Sequence, residues 1–504
     1  MPSDADRSLV DLMRPVVWCG PEDRVRDAAV RIGAAGHSCG VVAGGAQLGI
    51  VTDHDFRARV GTGQLGPDAP ITALAVQPVI TIDRDASLAA CLVRMVEHGV
   101  HHLVVVDPDD HPVGVIRSLD LAHLAVRDPL AIRAAVDAAP TIDALAEAAH
   151  GVVAMVADLH QRGLGARHVG AVHAAVVDAI VRRAISLRPP IGDDLPRASW
   201  VVLGSMARRE PLPRSDLDTA LIWADPIQMV ADRPAHKGGS QDDSRLAPSG
   251  SGPDPGDALR AAADAILDDL ERCGLRRCAS GANASNPLFS RSQSEWHRSA
   301  RGWITDPTRA GALLLSAMIA DSRPVTEVEL GRHLTDSIRS HTRTRQFLHA
   351  LLDQALAWRS RVGVVHPFVL EHSGPHRGHL DLKRIGLMPI VALGRWVAIA
   401  VGDAAGTTPE RLTRGVEAGL LTRDEGAVLT GAFESVYRVL LAHELAAHDA
   451  GEQPSTFIDP AALDSLSRRT LRQTLRAVGQ VQRRLEQHWD WRLSEALGGA
   501  DHHR

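Results

Sequence analysis

Two aspartates close to a glycine-serine pair are the residues of this chain best suited to chemistry. Asp216 and Asp218 stand two positions apart just before an apolar run, and Gly204-Ser205 follows another apolar run. In an extended segment, both aspartate side chains would point to the same face. Two carboxylates on one face suit Mg²⁺, which prefers oxygen ligands, and a glycine before a helix start can hold phosphate oxygens. The combination predicts phosphoryl or nucleotidyl transfer; a surface turn with two solvated aspartates is the alternative.

The residues around these groups read as strand, tight turn, short helix, loop and strand over 200–223. Gly204-Ser205, ten further residues and Asp216-Leu217-Asp218 together resemble the signature of the DNA polymerase β-type nucleotidyltransferase superfamily. The flanking residues are similar to its branch related to PII-protein uridylyltransferases, in particular to predicted bacterial nucleotidyltransferases with CBS domains. The resemblance implies transfer of an NMP group from an NTP to a hydroxyl acceptor. It implies nucleotide or phosphate binding by Gly204, Ser205, Arg208, Arg209, Ser215, Arg323, His376, Arg377 and Lys383.

A third carboxylate is expected from the same resemblance. The superfamily places one near the aspartate pair, and Asp321 with Arg323 follows an apolar run, as a similar Asp-x-Arg does in the uridylyltransferase branch. We therefore expect Asp216, Asp218 and Asp321 to be the catalytic and metal-binding residues. They would hold two Mg²⁺ ions, with Arg323 near the triphosphate. An ordinary salt bridge at a helix end is the alternative for Asp321.

Residues 8 to about 127 contain an internal repeat, in which segment 9–42 is echoed by segment 71–106. Each copy predicts a helix, two short strands joined by a turn, and a further helix. The repeat resembles a tandem pair of CBS domains, which are sensors of adenosine ligands. The family motif Gly-x-x-Thr/Ser-x-x-Asp is complete in the first copy, whereas the second has arginine in place of the hydroxyl residue. The resemblance implies binding of an adenine nucleotide by Thr52, Asp55, Arg117 and Asp120. A pair that serves only dimerisation or linkage is the alternative.

The remaining sequence predicts helices around these two regions. A Gly/Ser/Pro/Asp-rich stretch at about 233–256 predicts a disordered insertion, and the chain from about 335 has helical periodicity. We therefore predict a multidomain α/β plus α protein. Its domains would be a tandem CBS (α/β) pair at 1–130, a helical connector at 131–192, a polymerase β-type nucleotidyltransferase α/β core at 193–332 and a C-terminal helical bundle for substrate binding at 333–504.

One break in the C-terminal helical region carries clustered charges. Segment 372–390 contains His376, Arg377, Lys383 and Arg384 close to Asp381. This composition suits an anion-facing loop, and the segment resembles the substrate-binding region appended to the same family. A solvated loop is the alternative, and the histidine spacing also permits a zinc site.

Composition limits the partners of the chain. A net charge of −6 over 504 residues predicts no broad attraction to nucleic acid or anionic membranes, and no apolar stretch approaches the ~20 residues of a membrane span. Five cysteines without paired spacing indicate reduced thiols in the cytoplasm. Expected partners are an NTP donor, an acceptor that could be a protein, and a second copy of the chain through the CBS domains. Two alternatives are a non-catalytic adenine-nucleotide-sensing scaffold and a synthetase of a small signalling nucleotide.

Overall fold

The computed structural model describes residues 9–43, 47–124, 127–188, 195–225, 255–339, 344–360, 368, 370–453 and 455–498. The predicted insertion at about 233–256 lies outside the described residues up to position 254, and helix Pro255–Arg272 begins directly after it. The chain divides into two compact units. The first comprises Met1–Ala138 with Gly151–Val176, and the second comprises Ala139–His150 with Val177–Arg504.

The first unit contains two copies of one small α/β fold, which confirms the internal repeat. In each copy a first strand runs parallel to a second, and the second pairs antiparallel with a third. The strands are Trp18–Cys19, Cys39–Val42 and Gly49–Thr52 in one copy, and Thr81–Asp83, His102–Val106 and Pro112–Arg117 in the other. Helices Val25–Ala34 and Leu88–His98 connect the first two strands of the respective copies.

Local signals explain where helix Leu88–His98 begins and ends. The Ser87 hydroxyl accepts the N–H of Ala90 at 3.1 Å, which satisfies a free donor of the first turn. Gly99 ends the helix with a φ of +65°, and its N–H donates to the carbonyl of Met95. The other helical segments of this unit are Leu9–Leu12, Asp53–Asp55, Phe56–Val60, Ile71–Ala73, Ser118–Leu124, Pro129–Ala138 and Val152–Gln161, and helix Ala166–Ser186 begins in it.

A four-stranded sheet forms the α/β part of the second unit. Its order is Ser322–Pro324, Ala198–Leu203, Thr219–Trp223 and Ser290–Ser292, with only the last pair parallel. Ala198–Leu203 is buried from its second residue onward, as a central strand requires. The helices of this part are Ile142–Ala149, Gly204–Ala207, Pro255–Arg272, Gln293–Thr305, Ala312–Ala320 and Val328–Arg339.

The short helix predicted after the central strand is Gly204–Ala207. Arg209 takes a φ of +60°, which no α-helix accommodates, and Pro211 and Pro213 follow it. The chain therefore leaves the helix early and forms the loop that leads to Asp216.

Long helices make up the rest of the second unit. They are Arg345–Ala357, Met388–Val401 with the preceding wide turn Lys383–Leu387, Thr408–Glu417, Arg423–Asp449 and Ser465–Gly498. Strand Leu380–Asp381 pairs antiparallel with Phe457–Ile458. Within the described residues, the stretch Lys383–Val401 is the one helix long and apolar enough to cross a membrane, which corrects the expectation that no apolar stretch approaches that length. It is 72% buried in the protein, which is also the pattern of a core helix.

Candidate active site

The turn at Gly204 lies directly against one aspartate of the pair. Strand Ala198–Leu203 ends where Gly204 takes a φ of +60°, a conformation that favours glycine. A Cβ at this position would lie 2.9 Å from Oδ2 of Asp218, so any side chain would have to displace the carboxylate. The N–H of Leu203 also donates to the carbonyl of Asp218 at 2.9 Å. The two halves of the sequence signature therefore meet in space.

Asp216 and Asp218 precede strand Thr219–Trp223 instead of lying within it. This corrects the prediction that strand alternation brings the two carboxylates together. Burial raises the pKa of Asp218, and the negative charge of the neighbouring Asp216 adds to this effect. Asp216 is 39% exposed, and its Oδ1 lies 3.3 Å from the Arg276 guanidinium. The pair thus combines an accessible carboxylate with a half-buried one.

Three further groups act on the Asp218 carboxyl. Burial is the main reason that its pKa is raised, while a hydrogen bond from the Cys278 thiol and the charges of Lys383 and Arg208 work in the opposite direction. Lys383 is a predicted phosphate-binding residue, and the fold brings it to Asp218 from the C-terminal helices. The sequence does not single out Cys278, because an isolated cysteine carries no motif.

Asp321 has surroundings different from those the sequence predicts. It is fully buried, and its carboxylate accepts hydrogen bonds from the guanidinium groups of Arg208, Arg395 and Arg411. Burial would raise its pKa, but the three positive charges together hold it well below the ordinary value. Its carbonyl accepts the N–H of Gly204 at 2.9 Å. Asp321 is therefore a buried counter-ion behind the Gly204 turn, which corrects the expectation of an open metal ligand.

Two arginines that the sequence predicts to bind phosphate form ion pairs within the protein. Arg208 is buried and pairs with Glu210 at 3.0 Å as well as with Asp321. Arg323 forms a two-pronged ion pair with Asp178 at 2.6 and 3.1 Å. Arg323 also donates to the carbonyls of residues 206 and 207, at the end of the short helix. Both arginines brace the turn instead of facing a triphosphate, which corrects the prediction for each of them.

The three remaining predicted residues of this segment lie at or after the turn. Ser205 is half-buried beside Gly204. Arg209 is half-buried and adopts a left-handed backbone conformation. The Ser215 hydroxyl accepts the N–H of Leu212 at 3.0 Å, so it shapes the loop that leads to Asp216.

His376 and Arg377 lie in a tight turn of the C-terminal helical part. The His376 ring stacks on Phe457 with centroids 4.0 Å apart and an interplanar angle of 2°. Arg377 is exposed, and its N–H donates to the carbonyl of Gly374. Among the described contacts, neither residue touches the aspartate pair. Of the basic residues predicted in this segment, Lys383 is the one whose charge lowers the pKa of Asp218, against the larger effect of burial.

Helix Arg423–Asp449 holds the loop between the Gly204 turn and Asp216. The buried Tyr437 hydroxyl donates to the carbonyl of Pro211 at 2.8 Å. Glu444 accepts the N–H of Arg214 at 3.3 Å, and burial raises the pKa of its carboxyl. The sequence does not predict these contacts, because helical periodicity does not show which residues of a helix support a loop that is distant in the chain.

The first unit contains a cleft of about 460 Å³ at the predicted ligand motif of the first copy. Thr52 and Asp55 line it, together with His54, His101 and His102. The Thr52 hydroxyl donates to Oδ2 of Asp55 at 2.7 Å. A hydroxyl, a carboxylate and histidine side chains thus line one space, and binding of an adenine nucleotide by Thr52 and Asp55 stays a prediction.

The corresponding residues of the second copy bind each other. Arg117 donates from Nε and Nη2 to the Asp120 carboxylate at 3.1 and 2.7 Å, and its backbone N–H donates to the same carboxylate at 3.1 Å. This pairing corrects the expectation that both side chains are open to a ligand. The first copy has the same internal pairing between Thr52 and Asp55, but in the second copy both partners are charged.

Three family models match the chain. Residues 151–310 match "Putative nucleotidyltransferase DUF294", residues 345–489 match "Putative nucleotidyltransferase substrate binding domain", and residues 71–127 match "CBS domain". The region of the Gly204 turn and the aspartate pair lies within the first match. Lys383 and Glu444 lie within the second.

Similar proteins align only with short parts of the chain. Uncharacterized protein MJ1404 of Methanocaldococcus jannaschii is 32% identical over 77 residues, which are 15% of this chain and 18% of that protein. Uncharacterized protein MK0525 of Methanopyrus kandleri is 28% identical over 78 residues, which are 15% of this chain and 40% of that protein. The chain therefore spans less than half the length of either relative.

Solved structures resemble about a quarter of the chain. The CBS domain protein PAE2072 from Pyrobaculum aerophilum, complexed with AMP, has 22% identity and a TM-score of 0.22, and the match covers 23% of this chain and 91% of that one. The CBS domain protein TA0289 from Thermoplasma acidophilum has 19% identity and a TM-score of 0.23, covering 25% and 72%. The family models show that this chain combines a region of the nucleotidyltransferase type, a region of its substrate-binding type and a CBS domain.

Proposed function

We propose that this chain transfers an NMP group from an NTP to a hydroxyl acceptor, under regulation by its CBS unit. The reacting groups would meet at Gly204, Asp216, Asp218 and Lys383. The observation that carries this proposal is the contact between the Gly204 turn and Asp218. It puts a backbone suited to phosphate oxygens beside carboxylates suited to a divalent cation.

The aspartate pair fits Mg²⁺ by its chemistry. Two hard oxygen donors are close enough for Asp216 to raise the pKa of Asp218, and a divalent cation would relieve that repulsion. When bound, the ion would neutralise phosphate charge and polarise the reacting phosphoryl group. The proposed ligand set contains Asp216 and Asp218 without Asp321, because three arginines occupy the Asp321 carboxylate.

The residues of the chain would position the reactants and stabilise charge. The acceptor oxygen attacks the α-phosphorus and forms a new O–P bond, while the bond to the β-phosphate breaks and pyrophosphate leaves with the bonding electrons. The hydroxyl proton passes to water. The turn at Gly204-Ser205 would bind phosphate oxygens through its remaining backbone N–H groups, because the N–H of Gly204 already donates to the Asp321 carbonyl. Lys383 would place positive charge where negative charge develops, next to Asp218.

A second candidate is a non-catalytic scaffold that binds nucleotide without turnover. One observation favours it, namely that the predicted third carboxylate, Asp321, is buried against arginines. The two candidates differ in a single measurable outcome, because only the enzyme transfers label from an NTP.

The test uses the full chain, Mg²⁺, each α-labelled NTP in turn and a cell lysate as the source of acceptor. Asp218→Asn should reduce labelling at least about a hundredfold, because it removes a charged metal ligand. The matched control is Asp336→Asn, an exposed aspartate on helix Val328–Arg339, which should label like the wild type. Equal labelling by wild type and Asp218→Asn, or none from either with any NTP, would reject the enzyme and favour the scaffold.

Regulation would start from the cleft of the first unit. We propose that an adenine nucleotide binds at Thr52 and Asp55, and that binding changes the transfer rate by about 5- to 150-fold, the usual range of coupling between sites. AMP and ATP would be added to the labelling assay with wild type and Asp55→Ala. An AMP or ATP effect that persists in Asp55→Ala would place the regulatory site elsewhere.

A further inference from the structure

The C-terminal helical part contains a cleft of about 890 Å³. We call it the C-terminal cleft; Trp358, Glu371, Lys383, Arg384, Ile385 and Met388 are among its lining residues. Its volume lies within the ~300–1,000 Å³ typical of small-molecule sites. The cleft therefore suits a small molecule.

One wall of the C-terminal cleft is apolar and includes an accessible aromatic ring. Trp358 is 37% exposed although it lies among helices, and its carbonyl accepts a hydrogen bond from Gln482 at 2.6 Å, which fixes the backbone behind the ring. Ile385 and Met388 also line the cleft and add aliphatic surface. An exposed indole beside aliphatic side chains is a surface on which a flat ring stacks.

Two positively charged side chains also line the C-terminal cleft. Lys383 and Arg384 are exposed, and they begin the helical stretch Lys383–Val401, whose positive end already disfavours cations. Two of the other charged lining residues are committed, since Arg359 pairs with Glu486 and Asp381 accepts the N–H of Arg384, while Glu371 adds a carboxylate to the lining. Within the described part of the chain, no hydrogen bond or ion pair of the Arg384 side chain is seen. An anion at this end would offset the repulsion.

The C-terminal cleft is connected to the aspartate pair through Lys383. Lys383 lines the cleft and begins the stretch Lys383–Leu387, in which Gly386 packs against Val436 of helix Arg423–Asp449. Glu444 of the same helix accepts the N–H of Arg214, two residues before Asp216, at 3.3 Å. A molecule held against Trp358 and Arg384 would therefore have its near end beside the reacting phosphate. This is the position that an acceptor requires, because its hydroxyl must reach the α-phosphorus.

We propose that the C-terminal cleft binds the acceptor, and that the acceptor is a small anionic molecule with an aromatic ring, of the nucleotide class. The inference rests on the proposed transfer reaction. The ring stacks on Trp358, the anionic group pairs with Arg384, and the hydroxyl lies near Lys383. In the step itself the hydroxyl oxygen gains the O–P bond to the transferred NMP group, pyrophosphate leaves with the electrons of the broken bond, and the proton passes to water.

The test measures binding at this cleft separately from transfer. AMP, GMP, CMP and UMP are titrated into the wild-type full chain and into Trp358→Phe, and tryptophan fluorescence is measured. Quenching that occurs in the wild type and is lost in Trp358→Phe reports binding at the C-terminal cleft. At least one monophosphate should saturate this signal. Arg384→Ala should weaken its binding by about tenfold, because a charge-assisted hydrogen bond is lost. Arg332→Ala is the matched control, an exposed arginine on helix Val328–Arg339, and it should bind like the wild type.

Two further arms separate this inference from the proposed reaction. Binding should persist in Asp218→Asn and with a non-hydrolysable NTP present, because acceptor and donor occupy different places. Competition by the NTP analogue would assign the cleft to the donor and overturn the proposal. Absence of any Trp358-dependent quenching, or equal binding by wild type and Arg384→Ala, would also overturn it. If cleft binding persists but no label is transferred in any assay, the proposed reaction fails and the cleft is only a nucleotide-binding site.

Discussion

Replacing Asp321 by alanine should unfold the second unit far more easily, whereas replacing Asp218 by asparagine should not. The Asp321 carboxylate accepts hydrogen bonds from Arg208, Arg395 and Arg411. Among the described residues, the other acid paired with one of these arginines is Glu210, on Arg208. Asp321→Ala would leave three guanidinium groups facing a single carboxylate. Removing one partner of a buried ion pair costs about 3–5 kcal/mol, and this carboxylate serves three partners, so we expect at least that loss.

Replacing Asp218 should affect the stability of the fold in the opposite direction. Its pKa is raised, mainly by burial, so the ionised carboxylate is disfavoured in the folded protein. Asp218→Asn removes this charge with little change in shape, and stability at neutral pH should stay equal or rise. Transfer should nevertheless fall at least about a hundredfold, because a metal ligand is lost.

The assay is urea unfolding of the full chain followed by circular dichroism, together with the labelling reaction. Asp321→Ala should shift the unfolding midpoint strongly, and Asp218→Asn should not. If Asp321→Ala unfolds like the wild type but transfers no label, Asp321 acts as a metal ligand and the interpretation of its arginine cluster is refuted. A large stability loss in Asp218→Asn would refute the interpretation of Asp218.

Three other outcomes are expected. Gly204→Ala should cost about 1 kcal/mol of stability, because residue 204 has a left-handed backbone conformation. The new Cβ should also displace Asp218 and reduce labelling on the order of a hundredfold. Near-normal labelling would show that the turn is not part of the active site. Tyr437→Phe should cost about 1 kcal/mol in urea unfolding through its lost hydrogen bond to Pro211 and slow labelling several-fold; identical behaviour to the wild type would contradict a supporting role. Burial has the largest effect on His102 and lowers its pKa below the ordinary 6.5. As the pH falls through 6.5, His102 therefore takes up a proton in the unfolded chain before it does so in the folded chain. The first unit should therefore lose stability below pH 6.5 in unfolding curves, and His102→Gln should flatten the loss; a flat wild-type profile would contradict it.

Much of the fold could be predicted because it follows from short-range patterns. The repeat in the first unit appears as recurring apolar runs and glycines, and helix Leu88–His98 begins and ends at residues typical of caps. The relation between the Gly204 turn and the aspartate pair also follows from local order, since a strand, a turn and a returning strand must lie side by side. The burial and close contact of Asp218 are consistent with that order.

The structure contradicts several assignments that the family resemblance implies for charged residues. Asp321, Arg208 and Arg323 are charged residues near a catalytic signature, which the resemblance assigns to metal and phosphate. Whether a carboxylate faces a metal or an arginine depends on what packs against it. The deciding partners, Arg395 and Arg411, belong to helices Met388–Val401 and Thr408–Glu417, far along the chain.

The sequence by itself determined the α/β repeat, the helical C-terminal region and the signature residues Gly204, Asp216 and Asp218, because each depends on spacing within a few dozen residues. The tertiary structure decided which charges remain available. It buried Asp321 among arginines, paired Arg117 with Asp120, and carried Lys383 to Asp218. The physical reason is that burying a charge requires a partner, and chain folding, not sequence proximity, determines which partner arrives.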